Sequence, residues 1–339
     1  MTNELSLTEI KGTKPSFAVS EQIAHLKSRG VTFELCSEAD AAEYLHGANN
    51  LLRVSSYRKL FPIKTSGPHA GEYAGLDFEH LRTLSSLDRR LRACFLSIAL
   101  DIEHFARIEV LDNCEEHGED GYSIVRDYLQ TRLNHKGRNH LEGGLRARGA
   151  EGKTHDEYSG DLIAKYLGED ERLGEMPVWV FLETVEFRLF TDFYLFCAER
   201  WDDEQMLQRH YLLKSVRALR NACAHNSCIL NGIGGSSKKS GWIANRLVTE
   251  ALNGRGIKRT KSRRDKLSNL RVAQIAETLC ADSLFCTRAR TAKRHARALE
   301  EFRLSWEDVR GAFVKNPTIT SFFDFFFRLV DVWVPLRAE

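Results

Sequence analysis

The chain lacks the long apolar runs of membrane and secreted proteins and the large positive charge of proteins that coat nucleic acid. No apolar run reaches the about eighteen residues that a membrane span needs, and residues 1–17 lack the apolar core of a signal peptide. The 49 lysines and arginines nearly balance the 47 aspartates and glutamates, and a net charge of +2 argues against a protein dedicated to coating duplexes. We therefore expect a cytoplasmic protein with no membrane partner.

Cysteine pairs at a metal-binding spacing are also missing. The 8 cysteines are scattered, and none stands two residues from another in the way of a zinc knuckle. The nearest pairs are Cys223 with Cys228 and Cys280 with Cys286. Reduced thiols acting as small apolar side chains explain these positions. The sequence predicts neither a metal nor a cofactor.

Proline is scarce, and strand-like alternation is absent. The chain has only 6 prolines in 339 residues, with no internal repeat and no low-complexity tract. Leucine, alanine, arginine and glutamate are frequent, which favours helices. The sequence therefore predicts an all-α fold, large enough for one body or two modest domains.

The clearest helical pattern is an apolar seam at three-four spacing. Its members are Leu81, Leu84, Leu91, Phe95, Ile98, Ile102 and Phe105. Asp88 and Glu109 lie in the same seam, where a carboxylate is costly unless it has a partner. Arg92, one turn beyond Asp88, is the simple partner, and an active-site arginine from another helix is the alternative.

Other segments are predicted from their ends and their composition. A short helix is expected before Gly30, and longer helices after Pro177 and from about Asp203. Residues 113–176 lose the helical pattern and carry glycines and charges, so we expect a loop-rich, partly ordered insertion. Residues 322–333 are apolar almost all round, which predicts a helix buried in the core or against a second subunit.

The most informative stretch is the hexapeptide from Arg220 to His225. A neutral imidazole accepts a proton near pH 7, and a guanidinium binds phosphate oxygens through paired hydrogen bonds. On one helix the two side chains lie about 140° apart, and Asn221 is one turn from His225, where it can orient the imidazole. A two-fold dimer would bring two such sets together. The alternative is structural: an ion pair for Arg220 and a helix end at His225.

A basic stretch lies further along the chain. It contains Lys258, Arg259, Lys261, Arg263 and Arg264 with no interleaved aromatic residue. Without aromatic rings there is no indication of base stacking, so attraction of RNA phosphates is the function it would support. A solvated linker is the alternative.

Several blocks in chain order resemble the Abi-like (abortive infection, AbiD/AbiF-type) proteins of the HEPN superfamily. The segment from Leu219 to Asn226, with Leu230-Asn231, is similar to that family's "lRN-x-x-AH…N" signature. The other similar blocks are Lys14–Gly30, Arg53–Tyr57 with Phe61-Pro62, Phe78 with Leu87–Arg92 and Ile102–Arg107, and Pro177–Trp179 with Glu183.

The resemblance implies an all-helical HEPN-like bundle, usually dimeric, that acts as a metal-independent ribonuclease in phage defence. Carried over, Arg220 and His225 would be catalytic with Asn221 beside them, and Asp88, Glu103 and Arg107 would support the site. The implied division is an N-terminal helical extension (1–75), the bundle (76–235, with the insertion 113–176), and a basic linker with C-terminal helices (236–339).

Besides a protein-interaction scaffold that assembles through the apolar helix 322–333, two functions remain open from the sequence. One is cleavage of RNA at a site shared by a homodimer. The other is a non-catalytic module that holds a small structured RNA, since the superfamily also includes inactive RNA-binding members. An antitoxin or a regulatory RNA is a further expected partner.

Overall fold

The computed structural model describes residues 18–149, 157–167, 175–234 and 244–336. Within these ranges the chain is helical, and strand pairing is limited to two isolated bridges, Thr32 with Asp77 and Ile63 with Tyr73. The predicted all-α class is confirmed. The helices are α1 (Val19–Ser28), α2 (Glu38–Glu43), α3 (Leu51–Ser56), α4 (Phe78–Glu116), α5 (Ser123–Arg132), α6 (His135–Gly149), α7 (Glu157–Tyr166), α8 (Val178–Thr184), α9 (Phe187–Arg200), α10 (Glu204–Ala224), α11 (Arg246–Gly254), α12 (Lys261–Leu267), α13 (Leu270–Phe285), α14 (Ala289–Glu307) and α15 (Pro317–Trp333).

The N-terminal helices are short because their ends are strongly marked. Helix α1 stops before Gly30, as predicted, and Gly30 has φ of +81°, a conformation that glycine adopts without strain. A β-carbon there would lie only 2.7 Å from the β-carbon of Glu72. A π-helical turn (Tyr44–Ala48) and a 3-10 turn (Tyr57–Leu60) complete this region against α4.

Helix α4 is the longest element, at 39 residues. It starts where the Asp77 side chain accepts a hydrogen bond from the Glu79 amide at 2.9 Å. All members of the predicted seam are buried except Phe105, which is partly buried. Burial of this face against several helices makes α4 the central element of the fold.

Helices α4 and α10 lie antiparallel. Glu109 of α4 pairs with Arg209, Glu103 lies beside Arg220, and Asp88 meets Leu230 just beyond α10. Residue numbers along α4 therefore decrease in the direction in which residue numbers along α10 increase. Helix α9 packs beside α10, α13 packs on both α4 and α10, and α14 packs on α4. The motif end of α10 is thus held by several elements from distant parts of the chain.

The prediction of one helix after Pro177 is wrong in one respect, because the segment forms two helices. Helix α8 ends at Thr184, and Glu186 is extended (φ −65°, ψ 154°) where α9 begins. This break leaves the Val185 carbonyl free of α8, and the Arg107 guanidinium donates to it at 3.1 Å. The break therefore positions a predicted site residue.

The prediction of a loop-rich insertion at 113–176 is corrected by α5, α6 and α7. Helix α5 buries Ile124, Val125, Tyr128 and Leu129. The Tyr128 ring meets the rings of Phe181 and Phe193 at 5.9 and 5.0 Å. Glycines weaken local helix propensity, but this tertiary packing outweighs it. Residues 150–156 and 168–174 of the insertion, like residues 14–17 and 236–243, lie outside the described residues.

Helix α15 is interior to this same chain. Phe323 is 0% and Phe326 1% exposed, and the Phe326 ring lies 6.1 Å from Phe95 of α4. The core alternative for residues 322–333 therefore holds, and the face is not left for a second subunit. None of the helices in the described ranges has the length and hydropathy required to cross a bilayer.

Candidate functional site

The hexapeptide forms the last turn of α10, as predicted. Helix α10 is capped by the Asp203 carboxylate, which accepts from the amides of Gln205 and Met206. Its buried positions include Leu212, Val216 and Leu219. This apolar face fixes the rotation of α10 against the core, and therefore the directions in which the polar residues of the motif leave the helix.

A Schellman motif ends the helix directly after His225. Asn226 has φ of +61°, its amide donates to the Cys223 carbonyl at 3.1 Å, and the Ser227 amide donates to the Ala222 carbonyl at 2.8 Å. Asparagine tolerates this left-handed conformation better than most residues. The chain turns away at this point, so His225 stands at an exposed corner.

The imidazole of His225 is available to a ligand. Its ring makes no hydrogen bond within the described part of the chain, and the residue is exposed. The expected Asn221–His225 hydrogen bond is not formed; the Asn221 amide oxygen instead accepts from the Arg220 guanidinium at 3.2 Å. Asn221 therefore contacts the arginine of the motif and not its histidine.

Arg220 is grouped with two of the three predicted supporting residues. Its Nε lies 3.9 Å from Glu103 Oε2, too far for a hydrogen bond, while Glu103 Oε1 accepts from Arg107 at 2.6 Å. Arg107 also lies over the Phe190 ring at 4.7 Å. Arg220 Nε and Glu103 Oε2 are both buried and have no hydrogen-bond partner among the described residues. Glu103 is therefore shared between a close contact to Arg107 and a longer ion pair to Arg220, whose Nη groups keep donors for another anion.

Asp88, the third predicted supporting residue, acts at a different place. It is 0% exposed, pairs with Arg92 as the simpler interpretation predicted, and accepts the Leu230 amide at 2.7 Å. From the other side, the Arg53 guanidinium donates to the Asn226 carbonyl at 2.5 Å. Asp88 and Arg53 therefore fasten the chain just after His225, and do not contact Arg220.

Arg53 was missed as a site residue by sequence reasoning. It lies 173 positions before its partner Asn226. The available signal was its presence in the Arg53–Tyr57 block of the family resemblance.

A family model for Abi-like protein matches residues 45–231, which cover the motif, α4 and both fastening residues. The chain belongs to the Abi-like protein family. Membership in this family suggests a role in abortive infection. No curated protein and no solved structure matches the chain.

The basic stretch of this Abi-like protein lies outside the matched region and is only partly available to RNA. Lys258, Arg259, Lys261 and Arg264 are exposed. Arg263 is 3% exposed, and its guanidinium donates to Asn253 Oδ1 at 2.9 Å and to the Ile257 carbonyl. The prediction that Arg263 binds RNA is therefore corrected, since its buried guanidinium holds the turn between α11 and α12.

Among the described residues, a cluster of potential metal-ligating side chains lies between α13 and α14 and includes no residue of the motif. Ligand atoms of Asp282, Cys286 and His295 lie within 4.8 Å of one another. Both ring nitrogens of His295 are taken, however: Nδ1 lies 2.7 Å from Asp282 and Nε2 2.6 Å from Asp101. A metal would have to displace a buried ionic hydrogen bond, so the cluster is best described as a histidine held between carboxylates of α13 and α4.

This cluster predicts a pH dependence of stability. Burial disfavours the imidazolium, but hydrogen bonds and charges from Asp282 and Asp101 outweigh it, so the pKa of His295 is raised above 6.5. Arg294 pairs with Asp101, and burial raises the pKa of the Cys286 thiol, which stays neutral. A raised pKa means that the stabilisation is complete below about pH 6.5 and is lost as pH rises through the folded-state pKa.

Urea unfolding across this range would measure the effect. The free energy of unfolding of the wild type should decrease more steeply above pH 6.5 than that of His295→Gln, which does not titrate there. Parallel curves for the two proteins would contradict the assigned network.

Proposed function

We propose that this protein is a metal-independent RNA endonuclease of an abortive-infection system, built on a HEPN-like bundle. The observation that carries the proposal is the end of α10. It presents an exposed imidazole that has no hydrogen-bond partner among the described residues. Five residues earlier it carries an arginine whose Nη groups keep donors for an anion, beside a Glu103 that Arg107 holds. Family membership supports the abortive-infection context.

The proposed reaction is attack by a ribose 2′-hydroxyl on the adjacent phosphorus. His225 takes the proton of the 2′-hydroxyl, the 2′-oxygen bonds to phosphorus, and the bond from phosphorus to the 5′-oxygen breaks. Arg220 binds the non-bridging oxygens, where negative charge increases in the transition state. The leaving 5′-oxygen needs a proton. The products are a 2′,3′-cyclic phosphate and a 5′-hydroxyl.

The second proton transfer is the reason for proposing a shared site. One chain supplies one histidine at this position, and a base that has just taken a proton cannot serve as the acid in the same concerted step. A second copy with a protonated His225 would supply the acid, and a two-fold axis beside the end of α10 would bring both copies to one phosphate. The exposed corner at His225 leaves room for such an approach.

The chemistry is tested with purified wild-type protein and a 5′-labelled RNA in EDTA. We expect cleavage that leaves 2′,3′-cyclic phosphate ends, and no cleavage when a 2′-deoxynucleotide replaces the ribonucleotide at the cut site. The 2′-deoxy substitution at a neighbouring position is the matched control and should be cut normally. Cleavage at the deoxy position, or products with 5′-phosphates, would refute attack by the 2′-hydroxyl.

A second candidate function is a non-catalytic module that holds a small structured RNA. The exposed cations Lys258, Arg259, Lys261 and Arg264 favour it. This function requires salt-sensitive RNA binding that survives His225→Ala and weakens when these four residues are changed to glutamine. Tight binding without any cleavage would support it over the endonuclease.

A further inference from the structure

A polar groove of about 940 Å³ begins beside the motif and runs along α4. Its floor is the exposed side of α4 from Glu79 to Arg92, a length of about 20 Å. One wall is formed by Tyr44, residues 46–50 and Arg53, and the other by Ser305, Asp308 and Val309. The lining includes Asn226, the residue directly after His225.

The groove carries an excess of positive charge. It is lined by five arginines against two acids, Glu79 and Asp308. The arginines are Arg53, Arg82, Arg89, Arg90 and Arg92. Arg82 is paired with Glu79, and Arg92 with Asp88. The remaining three guanidiniums are therefore the ones that an anionic ligand would meet.

These three arginines have no carboxylate partner in the described ranges. Arg53 donates to the Asn226 carbonyl, and Arg90 to the Ser305 hydroxyl at 2.6 Å. Arg89 is exposed and makes no hydrogen bond to a described residue. A guanidinium has five N–H donors, so Arg53 and Arg90 retain most of theirs. The groove therefore offers available guanidinium donors from α3 (Arg53) and from two adjacent positions of α4 (Arg89 and Arg90).

The rest of the lining matches one strand of nucleic acid better than a protein or a duplex. Asn49, Asn50, Thr83 and Ser86 supply donors and acceptors, and apolar residues that would anchor a protein partner are few. The Tyr44 ring, with the Arg82 guanidinium 5.4 Å from its centre, offers a face for stacking. Duplex RNA is recognised mainly by its shape and by 2′-hydroxyl and phosphate contacts across its wide minor groove, whereas the bases of a single strand are free to stack and to form hydrogen bonds.

We propose that this groove binds single-stranded RNA next to the cleaved nucleotide, with Arg53, Arg89 and Arg90 contacting its phosphates. The choice of RNA as the ligand rests on the proposed function. A strand that lies along α4 leaves the groove at Asn226 and passes the imidazole of His225. The groove thus sets the path of the strand, while Arg220 and His225 act on one phosphate of it.

The experiment measures binding separately from cleavage. The full chain carrying His225→Ala is titrated into a fluorescein-labelled single-stranded oligoribonucleotide of about twenty nucleotides, and anisotropy is followed at several salt concentrations. Adding Arg89→Gln and Arg90→Gln should weaken binding about tenfold and lower the salt slope by about 1.4, since each phosphate contact on a single strand contributes about 0.7. Both side chains are exposed, so the fold should be retained.

The matched control is Arg288→Gln with Arg290→Gln in the same background. These arginines are also exposed, and they lie at the start of α14, so the pair removes the same charge at a different place. An equal loss of affinity in the control pair would overturn the groove, because it would show a general charge effect. Loss of affinity only when Lys258, Arg259, Lys261 and Arg264 are changed to glutamine would also overturn the groove as the binding site. So would an unchanged affinity of the Arg89→Gln/Arg90→Gln protein together with binding of duplex RNA that is as tight as, or tighter than, binding of the single strand.

Failure of the groove and failure of the endonuclease give different results. If the wild type cuts no RNA but His225→Ala binds it through Arg89 and Arg90, the groove stands and the endonuclease does not. If the wild type cuts RNA while the Arg89→Gln/Arg90→Gln protein binds and cuts like the control pair, the endonuclease stands and the groove does not.

Discussion

Replacement of His225 by alanine is expected to reduce the rate of RNA cleavage by about 10²- to 10⁴-fold, the usual contribution of a positioned general acid or base. The substitution removes an exposed side chain that forms no hydrogen bond to the described residues, so thermal stability should be unchanged. RNA affinity should also persist, because the groove arginines remain. The measurement is single-turnover cleavage of a labelled RNA with protein in excess.

His69→Ala is a suitable matched control for this prediction. His69 is also exposed and lies in the loop before α4, where it pairs with Glu72 at 2.9 Å. We expect full activity in His69→Ala. Cleavage that persists in both His225→Ala and Arg220→Ala would show that the site is elsewhere.

The same variant addresses whether two copies share the site. Wild type is mixed with increasing amounts of inactive His225→Ala under conditions that allow subunit exchange. With both histidines required at one phosphate, activity should fall below that of the same amount of wild type diluted into buffer alone. Activity that stays proportional to the wild-type protein would show that one chain suffices.

Replacement of Asp88 by alanine is expected to lower the free energy of unfolding by about 3 to 5 kcal/mol. The change removes one partner of a buried ion pair and leaves the Arg92 guanidinium, itself only 5% exposed, without a counter-charge. It also leaves the Leu230 amide without its acceptor, a loss comparable to that of a buried hydrogen bond. Urea unfolding monitored by far-UV circular dichroism measures the effect.

A double substitution separates these two contributions. Asp88→Asn with Arg92→Met removes both charges but keeps an amide oxygen for the Leu230 N–H. We expect this protein to be more stable than Asp88→Ala by about 2 kcal/mol or more, since replacing both partners of a buried pair is often close to neutral. A loss of less than about 1 kcal/mol in Asp88→Ala would contradict the role assigned to this pair.

Local patterns were sufficient for much of the helical architecture. The three-four spacing in α4, the glycine after α1 and the end of α10 each depend on residues within a few turns, and each was confirmed. The same local information failed in two places. It merged α8 with α9, because the break between them includes a hydrogen bond from Arg107 of α4 to the Val185 carbonyl, a contact from outside the segment. It also underestimated α5 to α7, whose packing compensates for glycine-rich stretches.

At the candidate site, too, the structure shows some of the contacts expected from the sequence and not others. Sequence resemblance named Glu103 and Arg107, and the structure brings both beside Arg220. Helix spacing predicted Asn221 as a partner of His225, and the charge of the basic stretch predicted Arg263 as an RNA ligand. The structure shows neither, because Asn221 contacts Arg220 and Arg263 is buried. Periodicity places a residue on a helix face, but the partner it meets there depends on the register of packed helices.

The sequence by itself determined the all-α class, the family and the position of the Arg–His motif, because these depend on composition, short-range spacing and ordered blocks. Only the tertiary structure decided that Asp88 and Arg53 fasten the chain after His225, that α15 is interior, and that several arginines line one groove beside the motif. The contacts Asp88–Leu230, Arg53–Asn226 and Phe95–Phe326 each join residues more than 140 positions apart. Such pairings follow from how α4 and α10 pack, which no local pattern specifies.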